Sequence, residues 1–93
     1  MNPKVKERWL AALRSGEYRK AKGQLHRPRR GSYCCLGVLR EVVGGPESDE
    51  ALELGPTSAN RAGLEGSEQD RLIALNDSYR GWDKVIEYIE REL

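Results

Sequence analysis

Apolar positions are sparse along this chain, and they gather where a helical period can use them. The longest run is Tyr33-Cys34-Cys35-Leu36-Gly37-Val38-Leu39-Arg40-Glu41-Val42-Val43. Leu36, Leu39 and Val43 recur at i, i+3 and i+7, with Cys35, Val38 and Val42 beside them. A helix with that pattern is apolar over most of its surface and belongs inside a protein. Gly44-Gly45-Pro46 stops it, because glycine takes the left-handed cap conformation and proline cannot continue the hydrogen-bond ladder. Residues 34–43 are therefore predicted as the central core helix.

Two further stripes flank it. Asn2-Pro3 suits a helix start, with asparagine as cap and proline at the first helical position. Val5, Trp9, Ala12 and Leu13 then share one face, and Gly16 closes the helix after Ser15, which predicts a helix over 5–15. At the other end Trp82, Val85, Ile86, Ile89 and Leu93 form a stripe over 82–93, with Glu87 and Arg91 placed for an i, i+4 pair outside it. A shorter helix is expected from Ser67, where a capping serine precedes Glu68 and Asp70. Leu72, Ile73 and Leu75 would face inward, and Asn76-Asp77-Ser78 would end it.

Between these helices the pattern weakens. Residues 17–33 have no helical period, but faint alternation around Gly23 to Leu25 and a turn-like Arg30-Gly31-Ser32 predict one short hairpin returning through Tyr33. Residues 44–50 read as loop. Ala51 to Leu54 reads as a brief extended segment, and Pro56-Thr57-Ser58 as the cap of a single turn through Ala62, stopped by Gly63 and anchored by a buried Leu64. Residues 46–66 are expected to be the most irregular stretch. The fold class that follows is mainly α with a small β-hairpin. It is one domain over 1–93, a compact bundle of three principal helices plus a shorter one.

Composition sharpens the core. A chain of 93 residues buries only a thin core, and with no phenylalanine Trp9 and Trp82 carry unusual weight in it. Adjacent Cys34 and Cys35 pair only with strain and fit no metal-ligand spacing, so they read as small buried hydrophobes of a reducing compartment. No leader-like segment and no apolar run of ~18 residues stands in the sequence, which predicts a cytoplasmic protein that does not span a membrane.

Charge adds a second layer. The net charge of +1 conceals a basic half, residues 1–43 at +8, and an acidic half, residues 44–93 at −7. Either the two halves fold onto one another and neutralise, or a basic face survives to meet an acidic partner. The densest basic stretch runs from Tyr18 to Arg30, and it yields the candidate partner-binding residues Tyr18, Arg19, Lys20, Arg27, Arg29 and Arg30. Guanidinium groups hold phosphates and carboxylates alike, usually through paired hydrogen bonds.

Catalytic chemistry has little to stand on. The single histidine, His26, has no acid beside it in sequence and reads as a solvated loop residue. One histidine and two adjacent cysteines assemble no zinc site, and neither a phosphate-binding loop nor a dinucleotide fingerprint is present. No catalytic residue, metal or cofactor is expected. A nucleic-acid role is disfavoured by a pI near 7.8 and by the acidic half.

With Leu13-Arg14-Ser15-Gly16-Glu17-Tyr18, Cys34-Cys35-Leu36-Gly37-Val38-Leu39 and Leu75-Asn76-Asp77-Ser78 in order, the chain resembles a family of small phage accessory proteins. These share an LRSGEY helix end, a CCLGVL core helix and an LND turn before an Ile-Glu-rich terminal helix, here Val85 to Glu90. The likeness spans nearly the whole chain, although residues 46–66 are shorter than in other members. It implies a non-enzymatic phage protein that works in the host cytoplasm by binding and inhibiting a host bacterial protein, in host takeover or superinfection exclusion. The Arg- and Gly-rich composition suits an actinobacterial phage. A further likeness, to small early-lytic cytotoxic proteins of mycobacteriophages, implies a DivIVA-type coiled-coil growth scaffold as the target. Two alternatives stay open on the residues themselves: a binder of small phosphate or nucleotide signals, and a small nucleic-acid-binding module.

Overall fold

In the computed structural model, which describes residues 1–93, the order of elements is α1 (Pro3–Arg14), β1 (Arg19–Lys20), β2 (His26–Arg27), β3 (Ser32–Tyr33), α2 (Cys35–Val43), α3 (Pro56–Ala62), α4 (Gly66–Ser78) and α5 (Asp83–Glu92). The mainly α expectation holds, but the helix count does not. There are five helices, and the one expected to be shorter, α4, is the longest at 13 residues. Its start lies ahead of Ser67. Glu65 is the cap, and the Glu68 carboxylate reaches back to accept from the Glu65 N–H at 2.8 Å, so Ser67 sits within the first turn.

The central helix is placed as its pattern demands. Every residue from Cys34 to Arg40 is buried, and α2 packs against α1, α3 and α4. Cys34 is its cap, with Sγ accepting from the Gly37 N–H at 3.4 Å, and Gly44 ends it at φ +67°. Trp9, Leu10 and Leu13 of α1, Leu72 of α4, and Val85 and Ile89 of α5 complete one apolar cluster with Leu25, Leu54, Ala62 and Leu64. Asn2 caps α1 as expected, accepting from the Lys4 and Val5 N–H groups.

The two tryptophans are not equivalent. Trp9 is fully buried and donates Nε1–H to the Cys35 carbonyl at 3.0 Å. Trp82 is half-buried and caps α5 rather than lying inside it, with Nε1–H donated to the Tyr18 carbonyl at 3.2 Å.

The expected hairpin is part of a three-stranded sheet in the order β1-β3-β2. β2 and β3 are the antiparallel hairpin, with His26 opposite Tyr33 and Arg27 opposite Ser32, while β1 runs parallel to β3 on its other side. No periodic signal marks β1, because a two-residue strand holds no full alternation. Ala51 to Leu54 forms no strand. Its backbone bonds instead to single partners: the Ala51 carbonyl accepts from the Leu25 N–H, and the Leu54 N–H donates to Gln69 Oε1.

The stretch expected to be irregular is specifically held. Within it, α3 runs two turns and ends at Gly63, φ +69°, with Leu64 buried behind it. Glu47 accepts from the fully buried Ser58 hydroxyl at 2.6 Å and from the Gly55 N–H at 2.9 Å, which ties the loop after α2 to the start of α3. Arg61 closes the same corner by donating to the Val43 and Gly44 carbonyls at the end of α2.

Candidate functional site

The site grows from the β2–β3 turn. Arg30 N–H donates to the Arg27 carbonyl and Gly31 N–H to the Pro28 carbonyl, and Gly31 at φ +60° supplies the left-handed step that brings the chain back. The turn is short, polar and exposed, so its side chains project into solvent. Its base is rigid. Leu25 is fully buried, and β2 is held on one side by β3 and on the other by the loop after α2, through Leu25 N–H to Ala51 O and His26 N–H to Asp49 O.

His26 corrects the reading of a solvated loop residue. It lies on β2, its ring stacked on Tyr33 with centroids 4.0 Å apart, and Tyr18 meets Tyr33 edge-on at 5.0 Å. Its Nδ1 is 3.1 Å from Asp49 Oδ1, which also accepts from Arg40 at 2.9 Å. Arg40 is buried and donates a second bond to the Glu47 carbonyl. The Arg40 bond, then the His26 bond, hold the Asp49 carboxyl below its ordinary value. No acid adjoins His26 in sequence. The partner arrives from a loop 23 residues later, a contact that local pattern cannot show.

Beside this network lies an open groove of about 380 Å³, lined by Gln24, Arg27, Pro28, Arg29, Arg30 and Glu50. One wall is the turn, and the other is the residue after Asp49. Five ion pairs join Arg or Lys to Asp or Glu in the molecule, and neither these nor the His26–Asp49 contact involves Arg27, Arg29, Arg30 or Glu50. Arg27 donates to the Lys22 carbonyl at 3.1 Å and so stiffens the base of the groove. A larger depression of about 490 Å³ opens between α4 and α5. Its charges are mixed, and Glu87 there already pairs with Lys84 and Arg91.

Of the six candidate residues, the fold gathers Arg27, Arg29 and Arg30 and draws Tyr18, Arg19 and Lys20 away. Tyr18 is half-buried against Tyr33, and Lys20 reaches the Tyr79 carbonyl beyond the opposite edge of the sheet. Burial lowers the Lys20 ammonium, with Lys22 adding to the effect. Arg19 is exposed on β1. Gln24 and Glu50 are groove residues that the sequence did not single out, and no local signal marks either.

The groove holds nothing resembling a metal centre, and no three His, Cys, Asp or Glu side chains converge anywhere in the molecule. Both cysteines are free and buried, and burial pushes both thiols up, Cys35 the further. No helix is long and apolar enough to cross a membrane.

Residues 1–54 match the family described as Domain of unknown function (DUF8296), and with more than half of its length matched the chain belongs to that family. The matched stretch contains α1, the sheet, α2 and every residue of the groove. No curated protein and no solved structure matches the chain.

Proposed function

We propose that this protein is a non-enzymatic binding module of phage origin that docks its arginine turn on an acidic surface of a host bacterial protein and inhibits it. One observation carries the reading: three arginines without internal ion partners line one groove on a base held by β3 and the loop after α2. Charges presented this way steer encounter with an opposite patch and fix its register, and the preformed base limits the ordering needed on binding. The resemblance to phage accessory proteins supports a host target, and a DivIVA-type coiled coil would offer charged flanking positions, where glutamates are common, as one surface of the required kind. A small phosphate or nucleotide ligand is the second reading, supported by the size of the groove, which falls within the range of small-molecule sites.

The test uses immobilised protein and lysate of an actinobacterial host. The double variant Arg29→Glu with Arg30→Glu leaves Arg27 bonded to Lys22, so circular dichroism and melting stay near those of the parent. It captures much less of any specific partner and loses its effect on host growth. A folded double variant that captures the same proteins and remains equally toxic moves the interface to the helical faces. Nucleotides added to the pure protein raise its melting temperature only under the phosphate reading.

A further inference from the structure

The groove is not uniformly basic. Glu50 stands in its lining among three arginines, yet its carboxylate forms no ion pair with any of them. Gln24, also in the lining, uses Nε2–H for the His26 carbonyl at 2.9 Å and leaves Oε1 with no protein donor. Arginines offer only donors, whereas a carboxylate and an amide oxygen offer only acceptors. The groove therefore presents both kinds of group, and Arg29, Arg30, Glu50 and the Gln24 oxygen are unspent, while Arg27 keeps its bond to the Lys22 carbonyl. Asp49 next door fixes where Glu50 stands, since its carboxylate is bonded to Arg40 and His26 and its carbonyl to the His26 N–H.

From this we infer that the groove, read as the acidic-partner site above, takes an acidic peptide segment that also carries a cationic side chain, and that Glu50 is the residue selecting it. Carboxylates of the segment meet Arg27, Arg29 and Arg30, and its ammonium or guanidinium meets Glu50 and the Gln24 oxygen. A nucleic-acid backbone is a uniform row of acceptors and has nothing to offer Glu50. Glu50 repels it, and specificity here comes from a repulsive element as much as from the attractive ones. On this reading the acidic groove residue disfavours uniform polyanions at a site with three arginines.

The test measures binding of three fluorescent probes at fixed salt. These are a short Asp/Glu peptide with one central lysine, the same peptide with glutamate in place of that lysine, and an oligothymidylate of similar charge. The parent protein binds the lysine-containing peptide most tightly. Glu50→Gln, an exposed change that breaks no bond, tightens the two uniform polyanions by up to ~5-fold, the scale of one surface charge interaction, and weakens the lysine peptide. Arg29→Glu with Arg30→Glu weakens all three. If Glu50→Gln leaves the three affinities in their parental ratios while the double variant still abolishes binding, Glu50 is no selector and the arginine site stands alone. If the double variant binds all three as the parent does, both readings fall. A parent that prefers oligothymidylate, or binds no probe, also overturns the inference.

Discussion

The two ends of α2 are held by opposite chemistries. At the N-terminal end every tie is neutral and dry: Trp9 donates to the Cys35 carbonyl, Asn76 Oδ1 accepts from the Cys35 N–H at 3.0 Å, and Cys34 N–H donates to the Leu25 carbonyl. At the C-terminal end the ties are ionic or charge-assisted, running from Arg40 to Asp49 and the Glu47 carbonyl, from Glu47 to Ser58 and Gly55, and from Arg61 to the last carbonyls. The first end fixes the core. The second fixes the loop that forms a wall of the arginine groove. Neutral buried bonds are indifferent to pH and salt and fail when volume is removed, whereas those that rest on the Glu47 and Asp49 carboxylates weaken when the carboxylate is protonated. The molecule therefore separates what must not move from what positions the binding surface.

The largest break comes at the neutral end. Trp9→Ala removes a fully buried indole together with its bond to the Cys35 carbonyl, so urea unfolding should show a loss of about 3–5 kcal/mol. Trp82→Ala, at a half-buried cap, should cost about 1–3 kcal/mol. Equal losses would mean that burial does not separate the two sites.

Gly37→Ala is the next largest. In an exposed helix the change would gain about 1 kcal/mol of propensity. Here a Cβ would run into the Leu25 carbonyl, which is backbone and cannot rotate away, so α2 and β2 must part. The expected loss is about 3 kcal/mol, overpacking against an immovable neighbour, read from the urea midpoint. A variant as stable as the parent would show that helix and strand approach less closely than described.

Gly37 also shows where the sequence was legible and where it was not. The apolar period announced α2, α1 and α5, because each buries a stripe that repeats within the helix itself. It announced neither Gly37's closeness to Leu25 nor the role of Asn76, which read as a helix-ending polar residue. Asn76 is buried, and its amide bridges the Cys35 N–H and the Ala21 carbonyl. Its partners lie 41 and 55 residues away, so no local pattern encodes them. The same holds for the site. Arg27, Arg29 and Arg30 are close in sequence and were visible as a cluster, while Glu50 joins them only because β2 pairs with the loop after α2. Tyr18 and Lys20 looked equally available until the fold turned one onto Tyr33 and the other toward Tyr79.

The smallest effect sharpens the comparison most, because it turns on pH. Burial alone would raise the Glu47 carboxyl, but the Ser58 hydroxyl, the Gly55 N–H and Arg40 outweigh it, and the group titrates below its ordinary value. Asp49 is lowered by Arg40 and His26. A carboxyl lowered in the folded state stabilises the fold above its unfolded value and loses that contribution as pH falls through its folded value. Glu47→Gln should therefore cost about 1 kcal/mol at neutral pH, the modest end for bonds to a partly solvated charge. Its deficit against the parent should shrink from about pH 5 downward, as the parent's own carboxylate takes up a proton. Asn76→Ala is the control from the other end of the helix. It should cost about 2 kcal/mol by leaving the Cys35 N–H and Ala21 carbonyl unpaired. Asn76 Nδ2 also donates to Asp77 Oδ1 at 3.0 Å, but the two groups left unpaired are neutral backbone, so that deficit should stay nearly constant through the acid range. Melting temperatures of the three proteins across the same buffers decide it. Converging curves for Glu47→Gln beside parallel ones for Asn76→Ala assign the ionic tie to the loop end of α2, whereas two parallel curves would mean that Glu47 acts there by shape and not by charge.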